Sequence, residues 1–134
     1  NEVDFGEYET QATVFRNLLK EKPIEKNSSY ELYVVESEHL IITFYLGDVM
    51  QTIKKIADEV FDVVFFDPFS PKKQPDLWSK EMFDEMYRTM TKNSILTTYS
   101  CARVTRTNML GAGFSVEDGP VVGRVSPGTL AKKE

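Results

Sequence analysis

The chain has 134 residues, of which 41% are hydrophobic and 28% are charged, a balance typical of one soluble globular domain. Its formal charge of −5 lacks the basic excess of most nucleic-acid-binding domains, and no apolar stretch is long enough to span a membrane. One cysteine (Cys101) and one histidine (His39) argue against a metal site, an intramolecular disulfide or a Cys/His or Ser/His nucleophilic pair, and are typical of a cytoplasmic protein.

Hydrophobic periodicity predicts helices and strands that alternate along the chain. Apolar residues at helical spacing indicate helices, and short apolar runs rich in β-branched residues indicate strands. This alternation is typical of βαβ units in a mainly parallel sheet, which C-terminal antiparallel strands close. The predicted helices cover residues 7–20, 49–60, 79–90 and 103–110, and the predicted strands cover residues 30–35, 39–46, 63–66, 95–100, 114–116 and 129–131.

One predicted helix carries a stripe of large apolar side chains. Met82, Phe83, Met86 and Met90 recur at helical spacing, and Ser79 precedes them as a candidate N-cap. Methionine and phenylalanine at this spacing usually fill a hydrophobic core. We therefore expect this stripe to be buried.

Polar residues follow several predicted strands at their carboxyl ends, the edge where open α/β sheets bind ligands. Glu36 follows one strand, and its two carboxylate oxygens match the vicinal hydroxyls of a ribose. Gly47 and Asp48 follow the next strand, where a glycine admits a base close to the backbone and the acid accepts an exocyclic amine. Together with Asp67 and Ser100 they predict a nucleoside site, although each acid taken alone is better explained as a solvated strand end.

The loop after the third predicted strand is the most informative part of the chain. That strand ends abruptly at Asp67, and Pro68, Pro71 and Pro75 then stiffen the loop. A carboxylate held by a rigid loop at the edge of a sheet is a candidate reaction site. The alternative is that Asp67 caps a turn and Trp78 belongs to the core.

Two segments of this region, Phe66–Pro71 (Phe-Asp-Pro-Phe-Ser-Pro) and Lys73–Trp78 (Lys-Gln-Pro-Asp-Leu-Trp), resemble the loop of the MnmC-type tRNA methyltransferases. Residues 98–100, 111–114 and 123–124 are also similar to that family, and the likeness covers about two thirds of the chain. The family has a Rossmann-like fold and methylates an aminomethyl group on the wobble uridine of certain tRNAs. The resemblance therefore implies an enzyme that uses S-adenosylmethionine and has tRNA as its partner.

The resemblance also implies a role for each of several residues. Asp67 would be the catalytic residue, since a carboxylate can take the proton of an aminomethyl group before its nitrogen is methylated. The candidate contacts to the S-adenosylmethionine cofactor are Glu36, Gly47, Asp48, Asp67 and Pro68. The candidate contacts to the substrate are Phe69, Ser70, Pro71, Trp78, Tyr99, Ser100 and Arg124, with Trp78 either stacked on a base or anchoring the loop.

The chain departs from this family in one respect. Its members carry a glycine-rich loop after the first strand, which approaches the methionine part of the cofactor, and residues 1–30 contain no such motif. The connection from Glu36 to Leu40 is also too short for the crossover helix of parallel neighbours. We therefore expect one Rossmann-like domain without the first glycine-loop unit, either a shortened form or a chain from which natural segments are absent.

Three functions stay open at this point. The first is methylation of tRNA, for which Lys72, Lys73, Arg103, Arg106 and Arg124 are a candidate phosphate-binding set. The second is methylation of a small molecule, which the acidic net charge favours. The third is a non-catalytic interaction module that retains the second half of the fold.

Overall fold

The computed structural model describes residues 13, 20, 22–36, 38–121, 123 and 125–134. The chain divides into two compact units, one that extends to Thr52 and one that runs from Ile53 to Glu134, and each is described by itself. The helix predicted over residues 7–20 lies almost entirely outside the described residues, and the single domain expected from the length stays a prediction. No helix in the described part of the chain is long and apolar enough to cross a membrane.

The described residues of the first unit form three strands and one helical turn, namely β1 (Glu25–Lys26), β2 (Tyr30–Glu36), β3 (Ile41–Gly47) and α1 (Val49–Thr52). The strands form an antiparallel sheet in the order β1–β2–β3. The connection between β2 and β3 is too short for a crossover helix, so these neighbours pair as a hairpin. The sequence predicts no helix between these two strands, and they accordingly do not form a parallel pair.

Apart from the short 3₁₀ turns Ile53–Lys55 and Pro75–Trp78, the described residues of the second unit form four strands and two α-helices. They are β4 (Phe61–Phe65), α2 (Lys80–Thr89), β5 (Met90–Thr98), α3 (Arg103–Ala112), β6 (Ser115–Asp118) and β7 (Thr129–Lys133). The strand order is β4–β5–β7–β6; β4 and β5 are parallel, and the other two pairs are antiparallel. The α/β fold class and the closing antiparallel strands are confirmed. The expectation of a mainly parallel sheet is corrected, because among the described strands only β4 and β5 run parallel and the sheet is mixed.

The apolar stripe of α2 is buried, as predicted. Met82, Phe83 and Met86 are 1%, 0% and 4% exposed, and Met90, where β5 begins, is fully buried. The hydroxyl oxygen of Ser79 accepts a hydrogen bond from the backbone N–H of Met82 (3.2 Å), so the predicted N-cap is also confirmed. Burial of each such side chain contributes roughly 2–3 kcal/mol, which makes this stripe the main hydrophobic support of α2.

The helix predicted over residues 49–60 is wrong beyond its first turn. A short 3₁₀ turn, Ile53–Lys55, follows α1 and then the helix ends. The guanidinium group of Arg88 donates hydrogen bonds to the carbonyl oxygens of Ile53 (3.1 Å) and Ile56 (2.9 Å). Because a distant side chain satisfies these carbonyl groups, the apolar periodicity of the segment does not decide where the helix stops.

Candidate active site

Asp67 lies where the parallel pairing of β4 with β5 ends. The backbone N–H of Phe66 donates to the carbonyl oxygen of Thr97 (2.9 Å), which extends the β4–β5 ladder by one residue. Asp67 is the next residue, and its side chain is exposed. It therefore lies at the carboxyl end of two parallel strands, the edge at which α/β sheets bind ligands.

The loop beyond Asp67 is folded around Pro71. The carbonyl oxygen of Ser70 accepts hydrogen bonds from the N–H groups of Lys73 (2.8 Å) and Gln74 (3.0 Å). Pro71 thus occupies the second position of a tight turn, where its fixed φ is favoured. The turn reverses the chain and places Gln74 back beside the start of the loop.

Trp78 holds this loop from its buried side. Its side chain is 2% exposed, and its Nε1–H donates to the carbonyl oxygen of Phe69 (2.9 Å). Its ring packs edge-on against Phe66 and Tyr99, with centroids 5.1 and 5.8 Å away. These contacts favour the anchoring alternative for Trp78, because a buried ring has little exposed face to offer a base.

An open pocket with a volume of about 430 Å³ lies beside Asp67. The Phe69 side chain in it is 68% exposed. The Tyr99 hydroxyl donates to the carbonyl oxygen of Pro68 (3.0 Å), so the same residue both lines the pocket and holds the loop. The lining residues are Asp67, Pro68, Phe69, Ser70, Gln74 and Tyr99, a set that omits Pro71.

Ser100 is engaged in support of the fold. Its side chain is 5% exposed, and its hydroxyl oxygen lies 3.3 Å from that of Thr105 and 3.4 Å from the backbone nitrogen of Ala102. Its carbonyl oxygen accepts from the Thr129 hydroxyl (2.6 Å). The polar atoms of Ser100 therefore hold the start of α3 and the end of the sheet, and its substrate contact stays a prediction.

The cofactor contacts predicted in the first unit are not brought together. Because β2 and β3 run antiparallel, Glu36 lies opposite Ile41 at one end of the hairpin, whereas Gly47 lies opposite Tyr30 at the other end. A strand of this length separates the two ends by roughly 20 Å. Glu36 and Asp48 therefore do not share one edge of this hairpin, and their contacts to a nucleoside stay a prediction that this geometry does not favour.

Gly47 and Asp48 each have a local structural role. A Cβ atom on Gly47 would lie 2.5 Å from the carbonyl oxygen of Ser29 and 2.8 Å from the Cβ of Tyr30, so the glycine is required by the approach of β2. The carboxylate of Asp48 accepts from the backbone N–H of Met50 (2.9 Å) and caps α1. These contacts account for both residues without a bound base.

The predicted cationic residues have different surroundings. Arg124 lies outside the described residues, and nothing is added to its predicted role. Arg106 pairs with Asp118 (2.6 Å) and donates to the carbonyl oxygen of Gly128 (3.1 Å), so it supports the β6–β7 loop. Lys72, Lys73 and Arg103 are exposed.

Within the described ranges, no group of three or more His, Cys, Asp or Glu residues could hold a metal ion.

Gln74 is the pocket residue that the sequence patterns did not indicate. Its side-chain oxygen Oε1 accepts a hydrogen bond from the backbone N–H of Phe69 (3.2 Å). A polar residue directly before a proline looks like an ordinary loop residue. The feature that could have indicated Gln74 is its position four residues after Ser70, where the turn closes and its side chain can reach the start of the loop.

The chain is similar to proteins of several organisms. It is 37% identical over 98 residues to an uncharacterized protein of Methanocaldococcus jannaschii, covering 73% of this chain and 27% of that protein. It is 29% identical over 105 residues to the tRNA 5-methylaminomethyl-2-thiouridine biosynthesis bifunctional protein MnmC of Pseudomonas fluorescens, covering 78% of this chain and 16% of the relative. The crystal structure of MnmC2 from Aquifex aeolicus matches with a TM-score of 0.68 and 32% identity, covering 72% of this chain and 32% of that chain.

This chain thus spans less than a third of the first two relatives and 32% of the Aquifex chain. A family model described as S-adenosyl-L-methionine-dependent methyltransferase matches residues 9–134, nearly the whole sequence. The resemblance carried by the proline-rich loop and the expected Rossmann-like fold are both confirmed by these matches. The chain therefore belongs to the S-adenosyl-L-methionine-dependent methyltransferase family.

Proposed function

We propose that this chain N-methylates an aminomethyl group on the wobble uridine of tRNA, with S-adenosylmethionine as the methyl donor and Asp67 as the general base. The observation that carries the proposal is the exposed Asp67 carboxylate at the carboxyl edge of β4, in one pocket with Phe69 and Tyr99. The relative named MnmC is a protein of tRNA 5-methylaminomethyl-2-thiouridine biosynthesis. The methylaminomethyl group in that name is the product expected of such a reaction.

The chemistry of the amine explains why a carboxylate is needed. An aminomethyl group is mostly protonated at neutral pH, and its nitrogen then has no free lone pair. A carboxylate within hydrogen-bond reach accepts the proton and orients the nitrogen for attack. Asp67 supplies this group in the pocket, and hydrogen bonds from Gln74 and Trp78 hold the backbone of Phe69, two residues further along the same loop.

The donor site predicted from the sequence fits the described residues only in part. Asp67 and Pro68 line the pocket at the carboxyl edge of β4, the edge at which open α/β sheets bind ligands. Glu36 and Asp48 lie at opposite ends of the hairpin in the first unit and do not form one nucleoside site. Our proposal therefore assigns donor contacts to Asp67 and Pro68 and none to the hairpin.

Transfer of a labelled methyl group to an anticodon stem-loop that carries 5-aminomethyluridine tests the proposal. Asp67→Asn preserves the size of the side chain but cannot accept the proton, so we expect the rate to fall about 100-fold or more. Asp76→Asn is the matched control, because Asp76 is an exposed acid of the same loop that does not line the pocket. An unchanged rate in Asp67→Asn, or an equal loss in both variants, would contradict the assignment.

A methyltransferase for a small molecule is the second candidate, and the formal charge of −5 favours it. Such an enzyme would methylate a free aminomethyl nucleoside as well as the stem-loop. A preference of at least about tenfold for the stem-loop would favour tRNA instead. A folded chain that binds neither S-adenosylmethionine nor the stem-loop would be a non-catalytic interaction module.

A further inference from the structure

Side chains hold the backbone on both sides of the exposed ring of Phe69. The N–H of Phe69 donates to Oε1 of Gln74 (3.2 Å), and its carbonyl oxygen accepts from Nε1 of Trp78 (2.9 Å). The preceding carbonyl group, that of Pro68, accepts from the hydroxyl of Tyr99 (3.0 Å). Each buried or half-buried partner therefore holds one backbone group of the loop, and the three hydrogen bonds together restrict the position of the Phe69 backbone.

The Phe69 side chain contrasts with the residues that hold its backbone. It is 68% exposed, whereas Trp78 is 2% exposed. Its ring lies in the same pocket as the Asp67 carboxylate, and Nζ of Lys73 lies 5.8 Å from its centroid. A single exposed aromatic ring needs no explanation by itself. A ring with a fixed backbone, beside a carboxylate and a cation, is suited to stack a nucleobase while the carboxylate binds its amine.

We propose that Gln74 is a positioning residue, which holds Phe69 as the stacking platform for the nucleobase whose aminomethyl group binds Asp67. This inference rests on the proposed function and specifies how the base is recognised. In this arrangement Phe69 stacks on the nucleobase, the role that the sequence analysis gave as one alternative for Trp78, and Trp78 anchors the loop. Gln74 acts only through the hydrogen bond that its Oε1 accepts, since the turn at Ser70 brings this oxygen to the N–H of Phe69.

Substitutions at Gln74 separate this role from simple support of the loop. Gln74→Met has a similar length but no acceptor, whereas Gln74→Glu retains an acceptor oxygen. Each is made alone and together with Phe69→Ala, and circular dichroism confirms that all variants are folded. Two quantities are measured in each: hydrogen exchange of the amide of residue 69, and affinity for the stem-loop with 5-aminomethyluridine.

In Gln74→Met we expect faster exchange of the Phe69 amide and a roughly five- to tenfold loss of affinity, equivalent to one hydrogen bond. Gln74→Glu should restore both quantities to near the wild-type values. With Phe69→Ala, the substitution Gln74→Met should add less than about a twofold loss, because its effect passes through the ring. Additive losses, or a Gln74→Glu variant that behaves like Gln74→Met, would overturn the inference.

The same titrations distinguish failure of this inference from failure of the proposed function. Suppose that the wild-type chain binds the aminomethyl stem-loop no better than one with plain uridine. The proposed substrate is then wrong, and the role of Gln74 falls with it. If the preference is present and Asp67→Asn abolishes it, but Gln74→Met leaves the affinity unchanged, the proposed function stands and the Gln74 inference alone is wrong.

Discussion

Residues a few positions apart in the proline-rich loop have opposite surroundings. Asp67 and Phe69 are exposed in the pocket, whereas Trp78 is buried and binds the Phe69 carbonyl oxygen from behind. The prolines make the loop stiff, but the indole N–H fixes where it lies. In this loop the exposed side chains are available to bind a ligand, and the buried Trp78 side chain holds the backbone that carries them.

Replacement of Trp78 tests this division. Trp78→Phe retains most of the aromatic packing but leaves the Phe69 carbonyl oxygen without its donor. We expect the free energy of unfolding to fall by about 1–3 kcal/mol, measured by urea denaturation followed by circular dichroism. Leu110→Ala is the control, since Leu110 is 58% exposed on α3 and its loss should cost less than about 0.5 kcal/mol. Equal losses in the two variants would show that the indole N–H does not anchor the loop.

At the level of elements, long-range hydrogen bonds decide where helices and strands end. Arg88 on α2 donates to the carbonyl oxygens that follow α1 in sequence, and it pairs with Asp58 (2.5 Å) and Glu85 (2.8 Å). The hydrogen bond to Asp58 is the first cause, and that to Glu85 the second, of a raised pKa of the Arg88 guanidinium. One side chain thus joins the start of the second unit to its core helix.

Arg88→Met is expected to lower the urea midpoint of the second unit clearly, because two carbonyl groups and two carboxylates lose a partner. Lys80→Met is the matched control. Lys80 also lies on α2, but its pair with Asp84 is exposed and four residues away, a type of pair that contributes little. A midpoint shift in Arg88→Met no larger than that in Lys80→Met would show that Arg88 does not stabilise the segment.

We expect the stability of the β2–β3 hairpin in the first unit to depend on pH through the ionisation of Glu31. The hydrogen bond from Lys26, followed by that from the Tyr33 hydroxyl (2.5 Å), holds the pKa of the Glu31 carboxyl below its usual value. The unfolded chain then binds this proton more tightly than the folded one. The contribution of Glu31 to stability is therefore complete above its unfolded pKa of about 4.3 and is lost as the pH falls through the lowered, folded pKa.

Glu31→Gln should remove this part of the acid-induced loss of stability. The measurement is the thermal midpoint of the hairpin, followed by the chemical shifts of the Tyr33 ring between pH 7 and pH 2. Glu36→Gln, an exposed acid at the end of the same strand, is the control and should leave the acid response unchanged. If wild type and Glu31→Gln respond identically to acid, the ion pair with Lys26 has no effect on stability.

At the scale of the whole molecule, the net charge of −5 opposes the binding of a polyanion. A tRNA substrate must therefore be bound through a local cationic surface. The exposed candidates in the described part of the chain are Lys72, Lys73 and Arg103, of which the two lysines lie on the pocket loop, whereas Arg106 is engaged with Asp118. This cationic surface is small, so we expect it to contact only a few phosphate groups of the RNA.

The affinity for the stem-loop should therefore fall with rising salt, but with a shallow dependence. Two or three phosphate contacts predict a slope of log affinity against log salt of about −1.4 to −2.1. Replacement of both Lys72 and Lys73 by Gln should make the slope shallower by about 1.4. Replacement of Lys54 and Lys55, an equally exposed pair outside the pocket, should leave it unchanged. A slope of zero in wild type would exclude phosphate contacts and favour a small-molecule substrate.

Local patterns in the sequence were sufficient to predict several features of the structure. The α2 stripe was predicted as core because its apolar residues recur at helical spacing, and Ser79 was predicted as its cap because a hydroxyl suits that position. Asp67 was placed at a sheet edge because an apolar run ends there in a proline-rich loop. Each of these inferences uses only residues that are close together in the chain.

The sequence by itself thus indicated the family through the resemblance of its proline-rich loop, and local composition and spacing indicated the α/β class and the acid at the carboxyl end of β4. The short connection from Glu36 to Leu40 already argued against a parallel pairing of β2 and β3, but only the tertiary structure showed their antiparallel register, and hence that Glu36 and Asp48 lie apart. It also decided that Trp78 is buried and that Gln74 reaches Phe69. The reason is physical: strand pairing, burial and hydrogen bonds across a turn depend on which distant groups meet, and no periodicity of a single segment encodes that.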